Sequence, residues 1–140
     1  MTEVSNVEIQ EEVIPGRLYA VSAGLTSTVA VNVRNSVNLS NVLSAAAEEL
    51  GQDLSYRVVL GDTTRSESLI IETVVDGVIV PVDFTNGFAQ IDGVNPNTTL
   101  PTYITFNKEG IYIFTIELID TNTQNLLAED IELALATDVL

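Results

Sequence analysis

Apolar and polar residues alternate along most of this 140-residue chain, which is the pattern of half-buried β-strands. An Asp76-Gly77 step between two such runs predicts a tight hairpin, because a type I′ turn needs positive φ at both central residues. Pro81 cannot donate to a ladder, so its strand is expected at a sheet edge or a bulge. The pattern predicts strands over 17–23, 25–34, 54–60, 69–75, 78–84, 88–91, 102–107, 110–120 and 126–136.

A separate strand is predicted at 4–13, where Val7, Ile9 and Val13 share one parity. Pro15-Gly16 separates it from the next run. Two pairings are possible for this strand. It forms the first strand of its own sheet, or residues 1–14 act as an exchange arm that adds a strand to a neighbouring subunit.

Residues 38–50 break the alternation. Apolar residues recur there at the three- and four-residue spacing of an amphipathic helix. Asn38 is suited to the N-cap and Gly51 to the position after the last turn. The spacing therefore predicts one short α-helix at about 38–50, inserted between early strands.

Two C-terminal segments carry apolar residues on both parities. A strand of this kind, as at 110–120, is usually central or covered on both sides. Residues 126–136 partly fit a helix as well. A strand is favoured, because a hairpin with 110–120 would satisfy the backbone of that strand.

The β-branched residues Val, Ile and Thr make up 45 of the 140 residues (18, 12 and 15), which also favours sheet. Many short strands, tight turns and one helix predict a mainly β protein. The expected architecture is a single antiparallel β-sandwich, immunoglobulin-like or jelly-roll, over 15–140, with 1–14 as its N-terminal strand or arm.

Composition narrows the function. The chain has no His and no Cys, so an ordinary general base, a thiol nucleophile and the usual zinc sites are lacking, and we predict that it is not an enzyme. The formal net charge of −15 argues against binding to nucleic acid or to an anionic membrane. The sequence contains no apolar run of about 18 residues, so membrane insertion is not predicted.

The C-terminal third resembles bacterial immunoglobulin-like modules of the PKD type. The residues that carry the resemblance are Ile104-Thr-Phe106, the polar step 107–109, and the strand that opens with Gly110-Ile-Tyr112. The resemblance implies that Gly110 and Tyr112 are structural, with the tyrosine packed at a corner and its hydroxyl bonded to nearby backbone. It also implies a binding or structural module.

Loop aspartates are the remaining candidates for a site. Hard cations bind to loop carboxylates, and Asp62, Asp92 and Asp120 are weak candidates for calcium. Since Asp also populates turns for local reasons, no cofactor is expected beyond this.

These observations favour a structural subunit that self-assembles into a homo-oligomer such as a filament, appendage, virion or spore-surface component. No signal peptide is evident, so synthesis in the cytoplasm is expected, followed by assembly into a particle or surface structure. The alternative is a binding or adhesion module cut from a larger bacterial surface protein.

Overall fold

The computed structural model describes residues 18–25, 27–61, 68–84 and 87–138. The predicted strand at 4–13 and the arm 1–14 lie outside these ranges. The described residues are mainly β, and the predicted β-sandwich with one short helix is confirmed. The elements are β1 (Tyr19–Ala23), β2 (Thr28–Ala30), β3 (Arg34–Ser36), β4 (Leu39–Leu43), α1 (Ala45–Glu49), β5 (Leu54–Leu60), β6 (Leu69–Val75), β7 (Val78–Val82), β8 (Phe88–Val94), β9 (Thr99–Leu100), β10 (Thr102–Phe106), β11 (Gly110–Asp120) and β12 (Leu126–Thr137).

One layer of the sandwich is a five-stranded sheet in the order β2-β12-β11-β5-β8. Two smaller sheets face it, β1-β4-β9 and β3-β10-β6-β7. The smaller sheets are continuous along the chain, because β3 runs into β4 and β9 into β10. The Val37 N–H donates to the Thr102 carbonyl at 2.7 Å where they meet. All strand pairs are antiparallel except β2 with β12, which is parallel.

Aromatic side chains from β10 and β11 fill the core. Phe106, Tyr112 and Phe114 are almost fully buried. The Phe106 and Tyr112 rings have centroids 4.8 Å apart. The Tyr112 hydroxyl donates to the Lys108 carbonyl at 2.8 Å, four residues upstream, so the start of β11 is tied to the preceding turn.

Several sequence predictions are confirmed at residue level. The predicted bounds of β5, β6 and β11 agree with the structure. Asp76 and Gly77 have φ of 53° and 80°, as a type I′ turn requires. Pro81 lies on β7, an edge strand, and β11 lies at the centre of its sheet.

The prediction of a helix over 38–50 is wrong in its first half, where β4 lies. Leu39 and Leu43 are four residues apart, so they fit the periods of both a helix and a strand. Both are buried on one side of β4. The helix covers only Ala45–Glu49, and its N-cap is Ser44, whose hydroxyl accepts from the Ala47 N–H at 3.1 Å.

The single strand predicted over 25–34 is also wrong. The chain forms β2, turns, and then forms β3 in a different sheet. Asn32 has φ of 59° at this turn, a conformation that Asn tolerates better than most residues. The predicted loop at 92–101 is likewise shorter, because β8 extends to Val94 and β9 occupies Thr99–Leu100.

Candidate interaction surface

The outward face of the β11–β12 hairpin is apolar. Three cross-strand pairs lie there, and five of their six side chains are branched aliphatics that are 42–68% exposed. We call these five residues the aliphatic strip: Ile111, Ile113, Ile131, Leu133 and Leu135. A contiguous exposed apolar patch on a sheet is typical of a protein-binding surface.

The orientation of β12 places two acids on its inner parity. Asp130 and Glu132 lie on the same parity as the buried Ala134 and Ala136. Ala134 lies opposite Tyr112 on β11, where a small side chain leaves room for the ring. This packing fixes the register, and a shift by one residue would exchange the two faces. The strip is therefore exposed because alanines fill the inner positions.

Partial burial of Glu132 has an electrostatic effect. Loss of solvent around its carboxyl, together with a hydrogen bond and the negative charge from Asp130, raises the pKa of Glu132 to about 7. Glu132 therefore holds a proton more readily than an isolated glutamate does.

The outer edge of β12 is open in the sense that none of the described strands pairs with it over most of its length, although β1 lies beside it. β2 pairs with this edge only at Leu135–Thr137. The Leu135 N–H donates to the Ser27 carbonyl at 2.8 Å, which shows that odd-numbered residues direct their backbone groups to this side. Among the described residues, none pairs with that side of Glu129, Ile131 or Leu133.

A shallow groove of about 510 Å³ lies beside the beginning of this open edge. Leu18, Tyr19 and Ala20 form one wall, and Leu127, Ala128 and Glu129 form the other. The described chain thus enters β1 next to the first residues of β12.

The acidic loop candidates have structural partners. Asp120 begins the turn between β11 and β12, and its carboxylate accepts from the backbone N–H groups of Thr123 (3.0 Å) and Asn122 (2.9 Å) and from the Gln52 side chain (3.0 Å). These hydrogen bonds, chiefly the one from the Thr123 backbone, lower the pKa of Asp120.

Asp92 accepts from Ser55 Oγ at 2.6 Å and from Gln90 at 3.0 Å, and the Ser55 bond is the main cause that lowers the pKa of Asp92. Ser55 also bonds to Thr121, the residue that follows Asp120, at 2.6 Å. Within the described ranges, no group of three or more carboxylates is arranged to hold a metal. Asp62 lies outside the described residues, and the calcium site stays a prediction.

Comparison with known proteins shows the fold. No protein-family model matches the sequence, and no curated protein gives a match. A cohesin module from a family 33 glycoside hydrolase of Clostridium perfringens has a TM-score of 0.59 at 10% identity, over 86% of this chain and 98% of that one. A conjugative transposon lipoprotein from Bacteroides eggerthii has a TM-score of 0.54 at 12% identity, over 83% of this chain and 95% of that one.

This chain therefore has an immunoglobulin-like sandwich fold. The narrower likeness to PKD-type modules stays a prediction. In the part of the chain that the structure describes, no helix has the length and apolar character needed to cross a membrane.

The aliphatic strip is not directly predictable from the sequence. The one related feature of the sequence is that residues 110–120 are apolar on both parities. This pattern predicted a strand that is central or covered on both sides. The inner face of β11 is buried, but Ile111 is 59% exposed and Ile113 is 48% exposed on the outer one. The apolar residues on this parity therefore form an exposed face of the sheet.

Proposed function

We propose that the protein is a non-enzymatic structural subunit that self-assembles, and that residues 4–13 of one copy add as a strand to the outer edge of β12 in another. Strand addition joins backbone N–H and C=O groups along an exposed edge and uses alternate side chains for specificity. Val7, Ile9 and Val13 would supply those side chains.

The single observation that carries this proposal is the open outer edge of β12. Unpaired edge groups are a ready template for another strand. Between Glu129 and Leu133, three residues direct their backbone N–H and C=O groups outward along this edge. The groove at Leu127 lies next to this stretch of the edge. Ten residues from 4 to 13 extend over about 33 Å, which is enough to span this edge.

Pro15-Gly16 disfavours a tight hairpin that would fold the N-terminal segment back onto its own chain. This favours exchange of the segment between copies. A two-residue hairpin of type I′ or II′ needs positive φ at its first central residue. Proline is fixed near −65° and cannot supply it. A tight hairpin that folds residues 1–14 directly onto β1 is therefore disfavoured.

The lack of His and Cys supports a role without catalysis. The alternative function, a binding module of a larger surface protein, is favoured by the aliphatic strip, because such a face suits a partner as well as a second copy. The two differ in what they predict for the isolated chain. The alternative predicts a stable monomer, and the proposal predicts oligomers.

Light scattering and negative-stain microscopy of the full chain test the proposal. We expect oligomers that grow with concentration and with salt, since salt screens the repulsion between copies that each carry a formal charge of −15. Deletion of residues 1–14 should give a folded monomer. A chain that unfolds on this deletion would assign the segment to its own sheet instead.

A point substitution isolates the edge. Ile131→Pro removes one outward N–H, whereas the hydrogen bonds to β11 come from even-numbered residues. Ile131→Thr removes the same side chain but keeps the N–H, so it is the matched control. We expect the proline variant to block assembly and the threonine variant to retain it. Monomers for the wild type across salt and pH would contradict the proposal.

A further inference from the structure

We propose that Asp130 and Glu132 couple strand addition at β12 to proton uptake, so that copies associate as the pH falls from about 8 to about 6 and separate as it rises. This inference rests on the proposed function, because it concerns the same open edge.

Two carboxyls border the open edge on the inner face of β12. Asp130 and Glu132 are half-buried, and their cross-strand partners Ile116 and Phe114 are core residues. The two acids flank Ile131, whose backbone groups point away from β11. Both side chains therefore lie where the core meets solvent, beside the position that an added strand would take.

The strands that pack against β12 supply no cation to this pair. β2 has no titratable residue, and the one titratable residue of β1 is Tyr19, whose hydroxyl donates to Gln52. The titratable residues of β11 are Tyr112, Glu117 and Asp120. Of these, Glu117 lies on the outer face, opposite Glu129. No positive charge therefore faces the two carboxyls from these three strands.

The cations in the described ranges are placed elsewhere. Arg57 pairs with Glu117 at 3.3 Å on the outer face of the sheet. Arg34 pairs with Glu72 at 2.9 Å in the opposite layer. Lys108 lies in the turn that precedes β11.

An added strand would bury both carboxyls whatever its direction. Side chains on the same face of neighbouring strands lie about 5 Å apart, so alternate residues of the incoming strand would replace the solvent beside Asp130 and Glu132. Residues 1–14 contain no Lys or Arg, so this segment brings no compensating charge. Burial of a carboxylate without a cation is unfavourable, and the group takes up a proton instead.

Glu132 is the group that takes up this proton most readily. Partial burial, together with a hydrogen bond and the negative charge from Asp130, raises the pKa of Glu132 to about 7 before any strand is added. Further burial raises this pKa further. A group whose pKa is higher in the assembly than in the free chain favours assembly at low pH, and this contribution is lost as the pH rises through the higher value.

Association of the full chain at pH 6 and pH 8 tests the inference. Sedimentation velocity at a constant ionic strength of about 0.15 M keeps screening the same at both values. We expect association about five- to tenfold stronger at pH 6, since uptake of one proton changes the association constant by at most about tenfold per pH unit. The chain has no His, so few other side chains titrate in this range.

A matched pair of variants assigns the effect to one face of β12. Glu132→Gln removes the titrating carboxyl, so its association should differ by less than about twofold between the two pH values. Glu129→Gln removes the same charge from an exposed position on the opposite face of the same strand. It should retain the full pH dependence of the wild type.

The outcomes separate this inference from strand addition itself. Oligomers that associate equally at pH 6 and pH 8, or more strongly at pH 8, overturn the proton coupling and leave strand addition standing. Equal effects of Glu132→Gln and Glu129→Gln also overturn the coupling. Monomers at both pH values contradict strand addition, and the coupling is overturned with it.

Discussion

Phe114 on β11 and Glu132 on β12 are paired directly across the hairpin, so a fully buried ring and a carboxylate lie on the same face of the sheet. Most strands place acids on the opposite face from their core residues. Here Glu132 lies on the core side because Ala134, two residues further along β12, is buried opposite Tyr112.

The first prediction concerns pH. The pKa of Glu132 is raised from 4.5 to about 7 in the folded chain. A folded-state pKa above the unfolded value favours folding at low pH, and this contribution is lost as pH rises through about 7. We expect Glu132→Gln to stabilise the protein by about 1 kcal/mol at pH 8, after allowance for solvent screening, and by much less at pH 5.

Urea unfolding at the two pH values measures this difference. Glu49→Gln, on the exposed end of α1, controls for the removal of one negative charge. If Glu132→Gln changed stability equally at pH 5 and pH 8, a raised pKa of Glu132 in the folded chain would be wrong.

A buried asparagine joins β4 to the loop before β9. Asn41 donates to the Tyr56 hydroxyl at 2.8 Å and to the Asn95 carbonyl at 3.1 Å, and it accepts from the Asn97 N–H at 2.7 Å. Asn41→Leu should lower stability by about 1–3 kcal/mol, because the buried Tyr56 hydroxyl and the backbone groups of Asn95 and Asn97 lose their partner. Thermal or urea unfolding would measure the loss.

Ser40→Ala is the matched control for Asn41, since the neighbouring Ser40 on β4 bonds to Thr99 on β9 at an exposed position. It should cost less than about 0.5 kcal/mol. Equal losses for both variants would show that Asn41 contributes no more than a surface contact.

The hairpin between β6 and β7 gives a backbone prediction. Gly77 has φ of +80°, a region that side chains other than glycine rarely adopt. Gly77→Ala should lower the free energy of unfolding by about 1–2 kcal/mol. Gly24→Ala is the control, because an added Cβ there meets nothing closer than 3.8 Å, and it should be nearly neutral. A neutral Gly77→Ala would contradict the strained-turn account.

Inner-face packing of β12 makes a further prediction. Ala134 is fully buried opposite Tyr112, so Ala134→Val adds volume where little space exists. The expected loss is about 1–3 kcal/mol. Ala128→Val, at a half-buried position on the same face, should cost clearly less, and equal values would show that this core tolerates the extra volume.

Sequence patterns predicted the fold best where one period alone fitted the residues. The bounds of β5 and β6 follow from simple alternation. The pattern failed at 38–43, where Leu39 and Leu43 satisfy two periods and only the pairing with β1 decides between them.

The candidate surface was harder to predict than the fold. Alternation in β12 identifies two faces but not which one is buried, and the choice depends on the volume of Ala134 beneath an aromatic ring from another strand. Which face of β12 is buried therefore depends on tertiary packing, because Tyr112 and Ala134 belong to different strands. The aliphatic strip follows from it.

The parallel contact between β2 and β12 has a mechanical consequence. The Leu135 N–H donates to Ser27, and the Val31 N–H donates to Thr137 at 3.1 Å, so these hydrogen bonds lie across the strands. If neighbours pull on the two ends of the chain in opposite directions, the parallel strands are loaded along their length. The bonds then share the tension and must break together, which makes this short patch a clamp against stretching.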